Sequence, residues 1–151
     1  MKFAKPFTTL LFFIVTLTLS FTMQAQEHKD IKKVKAILQG QAAQWNKGDI
    51  EAFMQDYWKS DKLQFIGSKG VTYGWQQTFD NYKRRYPDKA AMGQLTFDIL
   101  NAQRLSKKVI SITGKFTLKR EKDMPTGYFL LLWKKIKGRW VIIADHTSAS
   151  N

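Results

Sequence analysis

Cysteine is absent from the 151 residues of this sequence, which excludes disulfide bonds, thiolate metal ligands and lipid attachment through a cysteine. Histidine is nearly absent too, with two residues. His28 lies close to the expected start of the folded part, so His146 is the one imidazole that we expect inside the domain. Phosphate-binding loops and nucleophile-elbow motifs are also missing. The sequence therefore predicts no metal site and no cofactor.

Acidic residues are scarce: 12 Asp and Glu face 25 Lys and Arg, a formal net charge of +13. Such a balance favours anionic partners in general. The basic residues are spread over several short segments, however, which is more typical of a solvated surface than of a nucleic-acid-binding stripe. We therefore do not expect nucleic-acid binding. Weak binding to anionic envelope components stays open as an alternative.

Long apolar runs are confined to the N-terminus. Lys2 and Lys5 precede an apolar stretch without charged residues, and the segment ends in small and polar residues at Ala25. This is the layout of a secretory signal peptide. The alternative is a membrane anchor, but a spanning helix needs about 20 apolar residues and this run is shorter and broken by Thr and Ser. We predict a signal peptide over residues 1–25, cleavage after Ala25, a periplasmic or secreted protein, and a single domain over 26–151.

Apolar residues of the N-terminal half recur every three or four positions, which predicts three helices. The first begins near Ile31 and closes at the Gly48–Asp49 step, the second covers 50–58, and the third covers 75–86. Between the second and third helix we predict a short strand over 62–67 and a turn region over 68–74.

After Gly93 the apolar period changes to two. This predicts long strands joined as antiparallel hairpins, over residues 94–100, 108–119, 126–136 and 139–148. The last two strands are apolar at consecutive positions, so both of their faces should be covered. The helices can cover one face and a second copy of the chain the other. The predicted class is α+β, with three N-terminal helices wrapped on a curved antiparallel sheet.

Four segments in this order resemble the nuclear transport factor 2-like superfamily, most closely its SnoaL-like, domain of unknown function 4440 group. The segments are WNKGDIEAF, YWKSDKLQFIG, GVTYGWQQTF and GRWVIIADHTS. Asp61 stands one residue later than the group's pattern. The residues that carry the resemblance are Trp45, Gly48, Asp49, Tyr57, Asp61, Gly70, Gly74, Gly138, Trp140, His146 and Ser148.

The resemblance implies a cone-shaped, cystatin-like α+β roll with a pocket between the helices and the concave face of the sheet. It also implies a homodimer through the convex face. The superfamily includes isomerases, cyclases, dehydratases and transport factors, so the fold does not decide the chemistry.

The predicted pocket wall is aromatic. Tyr and Trp side chains give an apolar surface with hydroxyl and indole donors for a mostly hydrophobic ligand, although the same residues could simply form the core. The candidate ligand-binding residues are Trp45, Tyr57, Tyr73, Trp75, Tyr82, Trp140 and Ser148.

His146 is the main catalytic candidate, because an imidazole can transfer protons near neutral pH. On a regular strand Trp140, Ala144, His146 and Ser148 share one face, and the resemblance implies that this face is the concave one. Asp145 then points to the other face, which makes it a weak candidate. Asp98 is a second weak candidate. Ketosteroid-isomerase chemistry needs a buried carboxylate base, and Asp98 is the one acid that the sequence places in the middle of a strand; a solvent-facing or Lys-paired acid is the alternative.

The sequence thus predicts an exported small-molecule-binding protein, with a hydrophobic pocket lined by Tyr, Trp and His146. Two alternatives stay open. One is an isomerase or cyclase without cofactor, in which His146 transfers the proton and Tyr57 or Tyr82 donates a hydrogen bond. The other is a basic module that binds envelope components or other polyanions.

Overall fold

The computed structural model describes residues 28–150, without the side chains of 149 and 150. The predicted signal peptide and its cleavage site lie outside these residues. Among the helices of this part of the chain, none is long and apolar enough to cross a membrane.

Within residues 28–150, four helices lie on one side of the sheet. Helix α1 covers residues 28–47, and α2 (Ile50–Met54), α3 (Trp75–Arg85) and α4 (Lys89–Met92) follow. Asp49 begins α2 by accepting a hydrogen bond from the Ala52 amide at 2.8 Å. Helix α4 was not predicted, because four residues are too few to show a helical period.

In the part of the chain that the structure describes, six strands form one curved, open sheet in the order β2-β1-β6-β5-β4-β3. The α+β class predicted from the sequence is confirmed. Strand β1 pairs with β6 in parallel, and every other neighbour is antiparallel. The strands are β1 (Gln64–Gly67), β2 (Gly70–Tyr73), β3 (Gln94–Ser106), β4 (Val109–Lys119), β5 (Thr126–Ile136) and β6 (Arg139–Ser150).

The predicted turn over 68–74 is wrong, because most of it is strand β2. Gly70 and Gly74 have φ angles of 104° and 90°, so both need glycine. They flank Val71, Thr72 and Tyr73, which favour strands and pair with β1. Strand β3 also runs six residues beyond its predicted end at Leu100, since a bulge there interrupts the alternation that the prediction followed.

The core lies between α1 and the concave face of the sheet. Along α1 one stripe of side chains is buried: Val34, Leu38, Gln41, Ala42 and Trp45. Three hydrogen bonds fix the end of this helix. The Trp45 indole donates to the Met92 carbonyl at 3.0 Å, and Asn46 bonds the backbone of Leu95 through both its amide atoms.

Candidate functional site: a cavity around Asp145

A cavity of about 720 Å³ opens between the helices and the concave face of the sheet. Its wall is mainly aromatic and aliphatic. The apolar and tyrosine side chains that line it are Leu38, Trp45, Phe53, Tyr57, Phe65, Tyr82, Tyr86, Leu95, Phe97, Phe116, Leu118, Phe129 and Leu131. This volume and lining are typical of pockets for small organic molecules.

A bulge in β6 decides which side chains of that strand reach the cavity. Leu132 pairs with Ala144 but Trp133 pairs with Ile142, so Ile143 has no partner opposite. The extra residue reverses the alternation beyond it. Trp140 and Ile142 are buried before the bulge, and Asp145 is buried after it while His146 is exposed. Asp145 and Thr147 therefore line the cavity.

The Asp145 carboxylate accepts hydrogen bonds at both oxygens. The Tyr57 hydroxyl donates to Oδ2 at 2.7 Å, and the Thr147 hydroxyl donates to Oδ1 at 2.6 Å. The residue is 3% exposed. A carboxylate held by two hydroxyl donors and by no salt bridge among the described residues is a buried polar centre in this largely aromatic and aliphatic wall.

Burial raises the pKa of Asp145 above its ordinary value of 3.8, although the hydrogen bonds from Thr147 and Tyr57 and the charge of His146 oppose the shift. Burial, followed by the negative charge of Asp145, also raises the pKa of Tyr57 and of Tyr82 well above 10.0. Both phenols therefore keep their protons at neutral pH and can act as hydrogen-bond donors beside the carboxyl group.

Tyr82 is positioned by aromatic contacts from three elements. Its ring meets Trp45 of α1 and Phe53 of α2 at centroid distances of 6.0 and 5.5 Å, and Phe65 of β1 at 5.8 Å. These tilted and edge-to-face arrangements fix the ring. A rigid aromatic wall of this kind presents a preformed surface to a flat ligand.

Gln41 adds an unused acceptor to the wall. Its side-chain amide group donates to the Phe53 carbonyl at 2.9 Å, which fixes the orientation of the amide. Its Oε1 is buried and has no hydrogen-bond partner among the described residues. A buried acceptor without a partner costs about 1–3 kcal/mol, so a ligand that donates to it would recover that cost.

The rim of the cavity is basic. The charged lining residues other than Asp145 are Lys69, Arg84 and Arg85, and all three are exposed. Arg85 lies close enough to Tyr82 for its charge to oppose the rise in that tyrosine's pKa. The site therefore combines a buried acidic group, a largely apolar wall and a cationic rim.

The structure brings four of the predicted site residues to the cavity and leaves the others outside it. Trp45, Tyr57, Tyr82 and Asp145 line it. The remaining candidates lie outside the cavity, for reasons that differ from residue to residue.

Tyr73 and Trp75 lie outside the cavity. Tyr73 is 61% exposed on edge strand β2. Trp75 packs with Phe79, and its indole donates to the Met54 carbonyl at 3.0 Å.

Trp140 is part of the closed core and does not line the cavity. Beyond the bulge, His146 and Ser148 point to the convex side, where both are exposed. Asp98 is exposed on β3 opposite Lys115, which matches the alternative stated for it.

Within residues 28–150, no group of three His, Cys, Asp or Glu side chains is placed to hold a metal ion.

Solved structures with the same architecture identify the family. A crystal structure described as an NTF2-like protein of unknown function from Shewanella oneidensis MR-1 is 43% identical; the match covers 78% of this chain and 97% of that one, with a TM-score of 0.75. The chain belongs to the nuclear transport factor 2-like (NTF2-like) superfamily. No family model matches the sequence, and no curated protein matches it.

Solved structures with lower sequence identity share the fold alone. A domain of unknown function with a cystatin-like fold from Nostoc punctiforme PCC 73102 is 14% identical, covering 82% of this chain and 78% of that one, with a TM-score of 0.68. A ketosteroid isomerase-like protein from Erwinia carotovora atroseptica SCRI1043 is 16% identical, covering 81% and 95%, with a TM-score of 0.62.

Among the polar and charged residues of this NTF2-like pocket, sequence reasoning missed Gln41, Thr147, Arg84 and Arg85. Gln41 carried a usable signal, since a polar residue interrupts the apolar stripe of α1 between Leu38 and Ala42. Nothing in the run of Val and Ile before Asp145 indicates a bulge, so the exchange of faces on β6 had no comparable signal.

Proposed function

We propose that the cavity binds a small molecule with an apolar, flat body, a hydrogen-bond donor at its inner end and an anionic group at its outer end. The observation that carries this proposal is the buried Asp145 carboxyl on the wall of a 720 Å³ apolar cavity. Burying a carboxyl group costs free energy. Such groups are found preferentially at sites of binding or catalysis.

Each part of the ligand corresponds to a part of the wall. Asp145 and the partnerless Oε1 of Gln41 accept hydrogen bonds, so the inner end of the ligand should donate. The aromatic rings around Tyr82 suit a flat apolar body. Arg84 and Arg85 suit a carboxylate, sulfonate or phosphate at the rim.

Three naphthalene probes separate these parts. 6-Hydroxy-2-naphthoate carries both polar ends, 2-naphthoate lacks the donor, and 2-naphthol lacks the acid. We expect the first to bind most tightly, measured by its fluorescence or by calorimetry. One hydrogen bond to an uncharged acceptor contributes about 0.5–1.5 kcal/mol, so the hydroxyl should improve affinity by roughly two- to tenfold.

Matched variants assign each end. Gln41→Met should reduce the preference for 6-hydroxy-2-naphthoate over 2-naphthoate, because the variant removes an acceptor without emptying the site. Arg84→Gln with Arg85→Gln should reduce the preference for 6-hydroxy-2-naphthoate over 2-naphthol. Lys119→Gln with Lys122→Gln, exposed lysines outside the cavity lining, is the charge-matched control. Equal affinity of all three probes for every variant would contradict the proposal.

Proton transfer without a cofactor is a second candidate function. The raised pKa of Asp145 favours it, because a general base works best when its pKa approaches the working pH. 2-Tetralone, an enolisable ketone of naphthalene size, tests it. The wild-type protein should speed deuterium exchange at the carbon next to the carbonyl, seen by NMR, and Asp145→Asn should not. Equal rates of deuterium exchange with the wild-type protein and with Asp145→Asn would contradict proton transfer by Asp145 and leave binding as the proposed function.

Self-association through the convex face of the sheet is a separate part of the proposal. The registers place ten side chains in two rows on one face: Val71, Ile66, His146, Leu130 and Thr113, and then Tyr73, Gln64, Ala144, Leu132 and Ser111. None of these is a Lys, Arg, Asp or Glu, although the chain carries a net charge of +13. When two copies pack through this face, no side chains of like charge come into contact.

Analytical ultracentrifugation tests this dimer. Leu130→Lys places a charge at the centre of the face, where Leu130 is 43% exposed, and should give monomers. Leu105→Lys makes the same change at another exposed leucine outside these rows and should leave the dimer intact. A wild-type monomer at micromolar concentration would contradict it.

Export is the final part of the proposal, supported by the order of basic, uncharged and small residues before Ala25. In a bacterial host we expect the protein in the periplasm or medium, with a mass that corresponds to a chain starting near Gln26. Intact residues 1–25 on a protein found in the cytoplasm would contradict export.

A further inference from the structure

The sheet ends, away from the cavity, at a strongly basic surface. The β3–β4 and β5–β6 turns lie side by side there, as the Lys135 amide donates to the Lys108 carbonyl at 2.8 Å. Strand β4 starts at this end and reaches the cavity wall only with Phe116 and Leu118. The two turns and the strand ends beside them contribute five exposed cations: Lys107, Lys108, Lys134, Lys137 and Arg139.

Helix α1 brings three more cations to the same place. Asp30 of its first described turn bonds Arg104 of β3 at 3.4 Å and Lys135 of β5 at 3.7 Å. Lys29, Lys32 and Lys33 are exposed beside it. We call these three residues and the five of the strand ends the basic end.

Few negative charges offset the basic end. Asp30 is 4% exposed and already bound between two cations. Asp56 lies close enough to Arg139 for the positive charge to oppose the rise in the pKa of Asp56 that burial causes. The remaining positive charge faces solvent, so the surface suits a polyanion.

An exposed leucine at the basic end indicates which class of polyanion the surface binds. The bulge between Arg104 and Ser106 leaves Leu105 without a partner and 54% exposed, among the cations of the turn. Arg104 holds this turn by donating to the carbonyls of Ser106 and Lys107 at 3.1 and 3.3 Å. An aliphatic side chain in a cationic turn is suited to the boundary between lipid headgroups and acyl chains.

Single-stranded nucleic acid would need exposed aromatic rings for base stacking. The aromatic side chains that are largely exposed among the described residues, Tyr73 and Tyr128, lie on β2 and at the opposite end of β5. Trp133 and Trp140, the aromatic residues nearest to the β5–β6 turn, are buried. The surface therefore favours lipid over nucleic acid.

We propose that the basic end docks on a membrane surface rich in anionic phospholipids, with Leu105 placed among the headgroups. The cavity lies toward the other end of β4 and stays open to solvent in this orientation. The interaction is independent of the ligand proposed for the cavity, and the two tests do not share a variant or a probe.

Vesicle sedimentation tests the proposal. The soluble purified protein, with its N-terminus defined by mass spectrometry, is mixed at low salt with vesicles of phosphatidylcholine alone or with equimolar phosphatidylglycerol. The first variant replaces Lys107, Lys108, Lys137 and Arg139 by Gln. The control replaces four exposed lysines outside the basic end by Gln, with the same change in net charge: Lys47, Lys62, Lys119 and Lys122.

We expect binding to the phosphatidylglycerol vesicles only, since each basic residue near an anionic surface contributes about fivefold. The basic-end variant should bind roughly 600-fold more weakly than wild type, and the control within about threefold of it. Leu105→Ser should also weaken binding. Equal losses in the two quadruple variants would overturn the basic end as the site, and unchanged binding of Leu105→Ser would overturn the insertion. Tighter binding to a single-stranded oligonucleotide than to the vesicles would overturn the choice of lipid.

Discussion

The Tyr57 hydroxyl donates a 2.7 Å hydrogen bond to Oδ2 of Asp145, a residue 88 positions later in the chain. The bond joins the segment after α2 to the far half of β6, and it lies on the wall of the cavity. Because both groups are buried, each depends on the other for its polar partner. This pair therefore contributes to the stability of the fold as well as to the chemistry of the site.

Removing the donor should cost stability. A hydrogen bond to a charged group contributes about 1.5–3 kcal/mol, and Tyr57→Phe removes one from a buried carboxylate. We expect a loss of this size in the free energy of unfolding at a pH above the folded-state pKa of Asp145, measured by urea denaturation, and a smaller loss below that pKa, where Asp145 is protonated. Tyr73→Phe, on an exposed tyrosine, is the control and should change stability by less than about 0.5 kcal/mol.

The stability of the protein should also depend on the ionisation of Asp145. Burial raises its pKa in the folded chain above 3.8, so between 3.8 and the folded value the folded chain holds a proton that the unfolded chain has released. Stability therefore falls as pH rises through this interval and is level above it. Each unit of pKa difference corresponds to about 1.4 kcal/mol.

Asp145→Asn should lack this decline. Urea unfolding at a series of values from about pH 4 to 8 measures it as a growing advantage of the variant over wild type as pH rises. Asp98→Asn, on an exposed carboxyl, should follow the wild-type curve. Parallel curves for Asp145→Asn and wild type would show that the carboxyl titrates alike in the folded and unfolded chains.

The two faces of β6 beyond its bulge should respond differently to substitution. Thr147→Val removes a donor to Asp145 and changes the cavity wall, so the affinity for 6-hydroxy-2-naphthoate should fall by roughly threefold or more. His146→Ala changes the convex face and should leave that affinity within about twofold of wild type. A large loss on His146→Ala with none on Thr147→Val would reverse the assignment of faces.

Two glycines should respond to alanine with opposite signs. A Cβ at Gly114 of β4 would clash with Phe129 Cζ and lie 2.7 Å from the Asp98 carbonyl oxygen. Gly114→Ala should therefore destabilise the fold by about 1–3 kcal/mol. Gly40 lies inside α1 with nothing within 4 Å of the same position, so Gly40→Ala should stabilise by about 0.5–1 kcal/mol. Thermal or urea unfolding distinguishes the two, and equal effects would contradict the packing described for β4.

The architecture was accessible from the sequence because it depends on long periodic patterns. The stripe from Val34 to Trp45 marks α1, and the alternation after Gly93 marks the sheet. Short elements escaped prediction: β2 and α4 each have four residues, and β2 is flanked by glycines that are also typical of a turn.

The site was harder to predict from the sequence, because one unpaired residue of β6 determines which side chains face the cavity. Strand alternation placed His146 and Asp145 on opposite faces, and the family resemblance implied that His146 was on the concave one. The bulge at Ile143 reverses both positions. A bulge depends on how β5 and β6 match across the sheet, and the sequence of β6 alone does not contain that information. Tyr57 and Tyr82 lie on helical or adjoining segments before the bulge, so its effect does not reach them.

The structure of the complex with 6-hydroxy-2-naphthoate tests the central claim most directly. The account predicts the ring system inside the cavity between Trp45 and Phe129, with the hydroxyl within hydrogen-bond distance of Asp145 or Gln41 and the carboxylate near Arg84 or Arg85. An empty cavity at saturating probe, with the probe bound elsewhere on the surface or not at all, would contradict it.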